Sequence, residues 1–145
     1  MNRRESREAG FLLVFEQSFT GEEIDSIAKL AKEYRDFQYD AYSLKLAKGV
    51  TENREQIDQF ISENLKDWTL GRISKVSLAV LRCCIYEFKI GKTVPEEIAI
   101  NEAVELSKKY SMPEDTAFVN GILGSISRAG KTEKEEESGE KKQDE

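Results

Sequence analysis

Apolar residues return every three or four positions through six successive segments, and only two prolines interrupt the 145 residues. That period places them along one face of an α-helix. No stretch shows the strict alternation of a half-buried strand, so the pattern predicts an all-α fold. The first segment spans about Arg4 to Phe19, with Leu12, Phe15 and Phe19 in one row and Phe11 and Val14 beside it; Gly21 ends it. The second, Glu22 to about Tyr34, carries Ile24, Ile27, Ala28 and Ala31. The third, about Phe37 to Leu65, is long enough for Gly49 to bend or divide it. Trp68 and Gly71 mark a corner, where the indole is expected to anchor the junction between two helical groups.

The fourth segment, Ser74 to Ile90, stops at Gly91, a residue suited to left-handed geometry just past a helix. The fifth opens at Pro95, whose missing N–H is no loss in a first turn. Glu96 and Glu97 sit at its positive end, and Lys108 and Lys109 at its negative end. The sixth starts near Asp115 or Thr116 and runs to about Ser127. Asn120-Gly121 suits a hairpin turn, but Phe118, Val119, Ile122, Leu123 and Ile126 keep helical spacing across it. Gly121 is therefore expected inside a helix, at a place of close packing.

Charged residues make up 34% of the chain and the formal net charge is −6. The charge is unevenly spread. Residues 131–145 hold four lysines against seven acids and no apolar stripe, so they are expected to form a disordered tail beyond a single domain at 1–130. Arg3, Arg4 and Arg7 stand against one acid, Glu5, in the opposite sense. Arg3 and Arg7 are one helical turn apart and share a face. Guanidinium forks suit phosphates and stack on unpaired bases, although the same residues also suit a solvated helix start.

Several chemistries lack their residues. With no histidine, the usual general base and the commonest metal ligand are missing. No glycine-rich phosphate loop is present. Cys83 and Cys84 are adjacent, poorly placed to bridge, and expected to be buried and reduced. No run of about 18 apolar residues predicts a membrane span, and no signal peptide is read at the N-terminus. The expectation is a cytoplasmic protein without catalysis, metal or cofactor.

Five motifs in order resemble the NusB family of bacterial transcription antitermination factors. They are Arg3-Arg4-x-x-Arg7-Glu8, Trp68-x-Leu70-x-Arg72-Ile73, Val80-Leu81-Arg82 with Tyr86-Glu87, the segment from Val94-Pro95 through Asn101-Glu102-Ala103 to Tyr110, and Phe118-Val119-Asn120-Gly121-Ile122-Leu123. The resemblance covers about residues 3–128. It implies two perpendicular three-helix bundles forming one domain. It also implies binding of boxA-type single-stranded RNA in nascent ribosomal RNA transcripts. That binding is shared with NusE, a small-subunit ribosomal protein, in the antitermination complex of RNA polymerase.

Carried over by residue, the resemblance assigns RNA contacts to Arg3, Arg4, Arg7, Phe118 and Asn120, and an RNA or partner surface to Phe15 and Ser77. Phe15 is equally suited to the core. The family often has an acid and a base where Ser77 and Leu78 stand, and a base where Ala117 stands. These departures keep open an alternative: a helical protein–protein adaptor of the same fold with weak or lost RNA binding.

Overall fold

The computed structural model describes residues 1–66 and 69–143, with side chains as far as residue 135, and every regular element among them is helical. The α-helices are α1 (Arg3–Thr20), α2 (Ile24–Arg35), α3 (Ala41–Glu52), α4 (Arg54–Glu63), α5 (Lys75–Ile85), α6 (Glu96–Tyr110) and α7 (Pro113–Gln143). A 3₁₀ turn, Leu70–Arg72, leads into α5, and a π-helical turn, Tyr86–Ile90, leads out of it. Helix α1 packs on α2 and α3 to form one group, and α5 packs on α6 and α7 to form the other. Helix α5 also contacts α1 and α3, and α4 lies against α5 and α7.

Local chemistry sets the helix starts. The Asn2 side chain accepts from the Glu5 N–H at 2.8 Å, satisfying one of the four donors a helix start leaves free. Asp40 and Ser43 form a reciprocal capping box on α3. The Ser74 hydroxyl accepts from the Ser77 N–H at 3.1 Å to open α5. Helix α1 ends at Gly21 with φ of 70°, a conformation that favours glycine.

The long third segment divides at Asn53 rather than at Gly49. Asn53 donates its side-chain amide to the Gly49 carbonyl at 2.8 Å, a bond that closes α3. Gly49 instead makes room for Tyr86. A Cβ there would lie 2.2 Å from the phenol ring, so the missing side chain serves packing and not a bend. Gly91 differs from expectation in the same way. Its φ is −75°, and the left-handed residue is Lys92, with φ of 51°. Gly91 too lies against the Tyr86 ring, which a Cβ would approach to 3.1 Å.

Helix α7 starts earlier than Asp115, at Pro113, and Asp115 reaches back to accept from the Met112 N–H at 3.3 Å. Gly121 is helical, as its neighbours' spacing predicts, but it is exposed and a Cβ there would meet nothing within 4 Å. The expectation of close packing at Gly121 is therefore corrected. Helix α7 also continues to Gln143, through most of the segment for which composition predicts disorder. Lysine and glutamate are good helix formers, and residues 131–135 lie exposed along this extension.

The core joins both groups through Phe11, Leu13, Leu46, Ile57, Ile61, Leu81, Ile85 and Leu123, all nearly inaccessible. Each such side chain contributes roughly 1.5–3 kcal/mol on burial. Cys83 and Cys84 are buried and free, and burial pushes both thiols up, away from the reactive thiolate. The expected anchoring role of Trp68 falls outside the described residues.

Candidate nucleic-acid interface

The three N-terminal arginines lie on the first two turns of α1 but have three different environments. Arg3 is exposed, and its guanidinium carbon sits 3.7 Å from the centroid of the Tyr42 ring on α3. Among the described residues no carboxylate pairs with it. Arg4 is exposed as well, but its Nε and Nη2 donate to the two carboxylate oxygens of Glu102 on α6, at 3.0 and 2.9 Å. This fork-to-carboxylate pair, led by the Glu102 hydrogen bond, raises the Arg4 pKa further.

Arg7 is only 5% exposed. Its Nε donates to Glu87 Oε1 at 2.8 Å, and its Nη1 lies 3.6 Å from Glu102 Oε2. Burial works against the Arg7 charge, and Glu87, Tyr42 and Glu102 together outweigh it. The Tyr42 hydroxyl donates to the other Glu87 oxygen, which also fixes the ring on which Arg3 rests. The expectation that all three arginines present themselves to a ligand does not hold for Arg7. It lies on the same stripe as Phe11 and Val14, at i+4 and i+7, and so turns inward with them.

The neighbouring α1–α6 seam is equally charged. Glu8 accepts from Lys109 at 2.5 Å and from the Tyr110 hydroxyl. Burial would raise the Glu8 carboxyl, but Lys109 and Tyr110 together hold it below its usual value. A shallow cleft of 200 Å³ runs between these side chains, lined by Arg4, Arg7, Glu8, Glu102, Glu105 and Lys109.

A second group of expected residues gathers where the starts of α5 and α7 meet. Here a 220 Å³ cavity is lined by Arg72, Ser74, Ser77, Asp115 and Phe118. Ser77 is 2% exposed and its hydroxyl finds no protein partner. It lines the cavity from within and does not form an outer surface, which refines its expected role. Phe118 is half-buried in the same wall. Asn120 is exposed on α7, beside the bare Gly121. This cavity shares no lining residue with the arginine cleft.

Phe15 stands apart from both. It is half-buried, stacked on Phe11 with centroids 6.5 Å apart and edge-on to exposed Phe19 at 5.0 Å. It lines an open cleft with Leu12, Glu16, Phe19, Arg35 and Phe37. Its core and surface readings therefore each describe one side of the ring. Tyr42, Glu87 and Glu102, absent from the sequence-based site, contact the arginines across 39, 80 and 98 positions of chain. Nothing local points to those pairings.

These helices define an all-α protein of two packed groups, with a cationic helix start at one place and an aromatic-lined notch at another. Residues 4–128 match the NusB family, and the chain belongs to it. It is 44% identical to the transcription antitermination protein NusB of Clostridium novyi (strain NT) over 133 residues, covering 89% of this chain and all of that one. Among solved structures, T. maritima NusB superposes with a TM-score of 0.75 at 33% identity, covering 88% of this chain and 92% of that chain. The antitermination factors NusB and NusE in complex with dsRNA provide another match, with a TM-score of 0.77 at 27% identity, covering 88% of this chain and 96% of that one. No described helix is long and apolar enough to cross a membrane.

Proposed function

We propose that this chain is a transcription antitermination factor. It binds boxA-type single-stranded RNA of nascent ribosomal RNA transcripts together with NusE, and so promotes read-through by RNA polymerase. It acts in the cytoplasm, without catalysis or cofactor. The observation that carries this reading is the similarity, over nearly the whole chain, to antitermination proteins that include one solved with NusE and dsRNA.

Arg3 and Arg4 are the proposed phosphate contacts, supported by their exposure at the start of α1. Arg7 supports them from below through Glu87 and Glu102. Phe118 and Asn120 are proposed to meet the RNA at the α5–α7 notch, with Ser77 behind them, and Phe15 is proposed to face RNA or NusE.

The test is a titration of fluorescent boxA-like RNA, with and without NusE, over a range of salt. Three free arginines would give a salt slope of about −2 from this cluster, at about −0.7 per phosphate on single strands. With Arg7 buried and ion-paired, the expected contribution is nearer −1. Arg3→Ala should weaken binding and flatten the slope by about 0.7. Binding of NusE without measurable RNA affinity would favour the adaptor reading, which the uncharged, buried Ser77 and the paired Arg4 support.

A further inference from the structure

We infer that Glu102 sets the RNA affinity of this protein by holding Arg4 as an internal counter-ion that a phosphate must displace. This inference rests on the proposed RNA contacts of α1. The geometry is that of a competitor. Glu102 presents both carboxylate oxygens to the Arg4 fork at 3.0 and 2.9 Å, the same bidentate approach a phosphate would make. Glu102 is far less exposed than its partner, with side-chain exposures of 16% against 67%, so the carboxylate stays fixed while the arginine can swing outward. Its Oε2 is also held by Arg7, 3.6 Å away, which is in turn anchored on Glu87.

Counting charge around this hub separates the two exposed arginines. Arg4 and Arg7 are balanced by Glu102 and Glu87, whereas Arg3 rests on the neutral Tyr42 ring. A phosphate reaching Arg3 meets an available cation. One reaching Arg4 has to break an ion pair first. The salt dependence follows from the same exchange. A phosphate engaged by a free arginine releases its condensed cation, at about 0.7 per contact on a single strand. When the arginine comes from Glu102, the vacated carboxylate attracts a cation back, and the net release from Arg4 falls toward zero.

The experiment is a double-mutant cycle with Glu102→Gln and Arg4→Ala, titrating boxA-like single-stranded RNA at several salt concentrations. Glutamine keeps the shape and an acceptor oxygen, and Arg7 retains Glu87. Glu102→Gln should tighten binding about two- to five-fold at low salt, the range of an exposed ion pair. It should also steepen the slope by about 0.7. In the Arg4→Ala background the same substitution should have no effect on either quantity. A gain that persists without Arg4 would mean that Glu102 acts only as one more negative charge near the RNA, and overturns the inference. So would unchanged or weaker binding by Glu102→Gln with its melting temperature preserved. If Glu102→Gln melts early, Glu102→Asp serves instead. The shorter carboxylate keeps its charge beside Arg7 but no longer reaches the Arg4 fork with both oxygens. RNA should therefore bind more tightly than to the parent, and weaker binding with the melting temperature preserved overturns the inference. Arg3→Ala separates the two levels. If it leaves RNA affinity intact, the α1 surface itself is wrong. If it weakens binding while Glu102→Gln does nothing, only the role of Glu102 falls.

Discussion

The α1–α6 seam and the α5–α7 notch are solved in opposite ways. In the seam almost every charge has a partner: Arg4 with Glu102, Arg7 with Glu87, Lys109 with Glu8. In the notch, the buried Ser77 hydroxyl has none from the protein, and an aromatic ring and an arginine line the space around it. The seam therefore spends its cations internally, and its capacity for an external anion depends on which pairs open. The notch holds polar capacity in reserve, and its contribution depends on what enters. A density of basic residues in sequence is thus a poor guide to available charge.

The largest expected effect tests the claim that Arg7 belongs to the fold. Arg7→Ala leaves Glu87 with a 1% exposed carboxylate and no cation at hydrogen-bonding distance. Breaking one side of a buried pair costs about 3–5 kcal/mol, so the melting temperature should fall by on the order of 10 °C. A variant that melts within a degree or two of the parent, yet loses RNA affinity, would restore Arg7 to the RNA surface. The contrasting variant is Arg3→Ala. It removes a solvent-facing cation from a ring face and should leave the melting temperature nearly unchanged while RNA binding weakens.

The difference between these arginines also marks how far the sequence could be read. The periodicity locates the six apolar-striped segments, because burying one face is a local requirement that each segment states for itself; the extension of α7 beyond residue 130 carries no such stripe and is not legible that way. Arg7's place on the Phe11–Val14 stripe was present in that pattern too, but a charge on an apolar face is stable only with a buried partner. Glu87 lies 80 positions away, so chain order could not supply it. Gly49 and Gly91 teach the same lesson. Both read as breaks, and both adjoin the Tyr86 ring: Gly49 through a contact made only when α3 meets the π turn, Gly91 at the end of that turn itself. In the notch, by contrast, Phe118 comes from a short motif and Ser77 from a departure from the family pattern, and both sit near helix starts that local side-chain bonds fix.

A smaller effect tests the notch. Ser77→Ala removes a hydroxyl that no protein group satisfies, at a position 2% exposed. Leaving a buried polar atom unpaired costs about 1–3 kcal/mol, so alanine should be neutral or slightly stabilising in denaturant melts. A clear loss of stability would show that the hydroxyl is hydrogen-bonded in solution, and the contrast with the largely paired seam would disappear.

The smallest effect concerns pH and lies at the arginine end of the seam. Asp40 accepts from the Ser6 hydroxyl at 2.5 Å, and from the Ser43 N–H and hydroxyl at 3.0 Å each, tying α1 to the start of α3. These bonds, Ser6 first and the Ser43 backbone second, hold the Asp40 carboxyl below its ordinary value. A group depressed in the folded state stabilises the protein above its unfolded value, about 3.9 for aspartate. That contribution is lost as pH falls through the lower, folded value. Asp40→Asn keeps an acceptor for Ser43 but cannot titrate. Its melting temperature should sit below the parent's at neutral pH, and the two curves should converge as the pH drops below about 4. Glu8, depressed by Lys109 and Tyr110 against its own burial, titrates in the same window and will leave the variant some residual slope. Two curves that stay parallel down to pH 3 would show that Asp40 has the same affinity for protons folded and unfolded. The Ser6 contact would then be too weak to fix the start of α1.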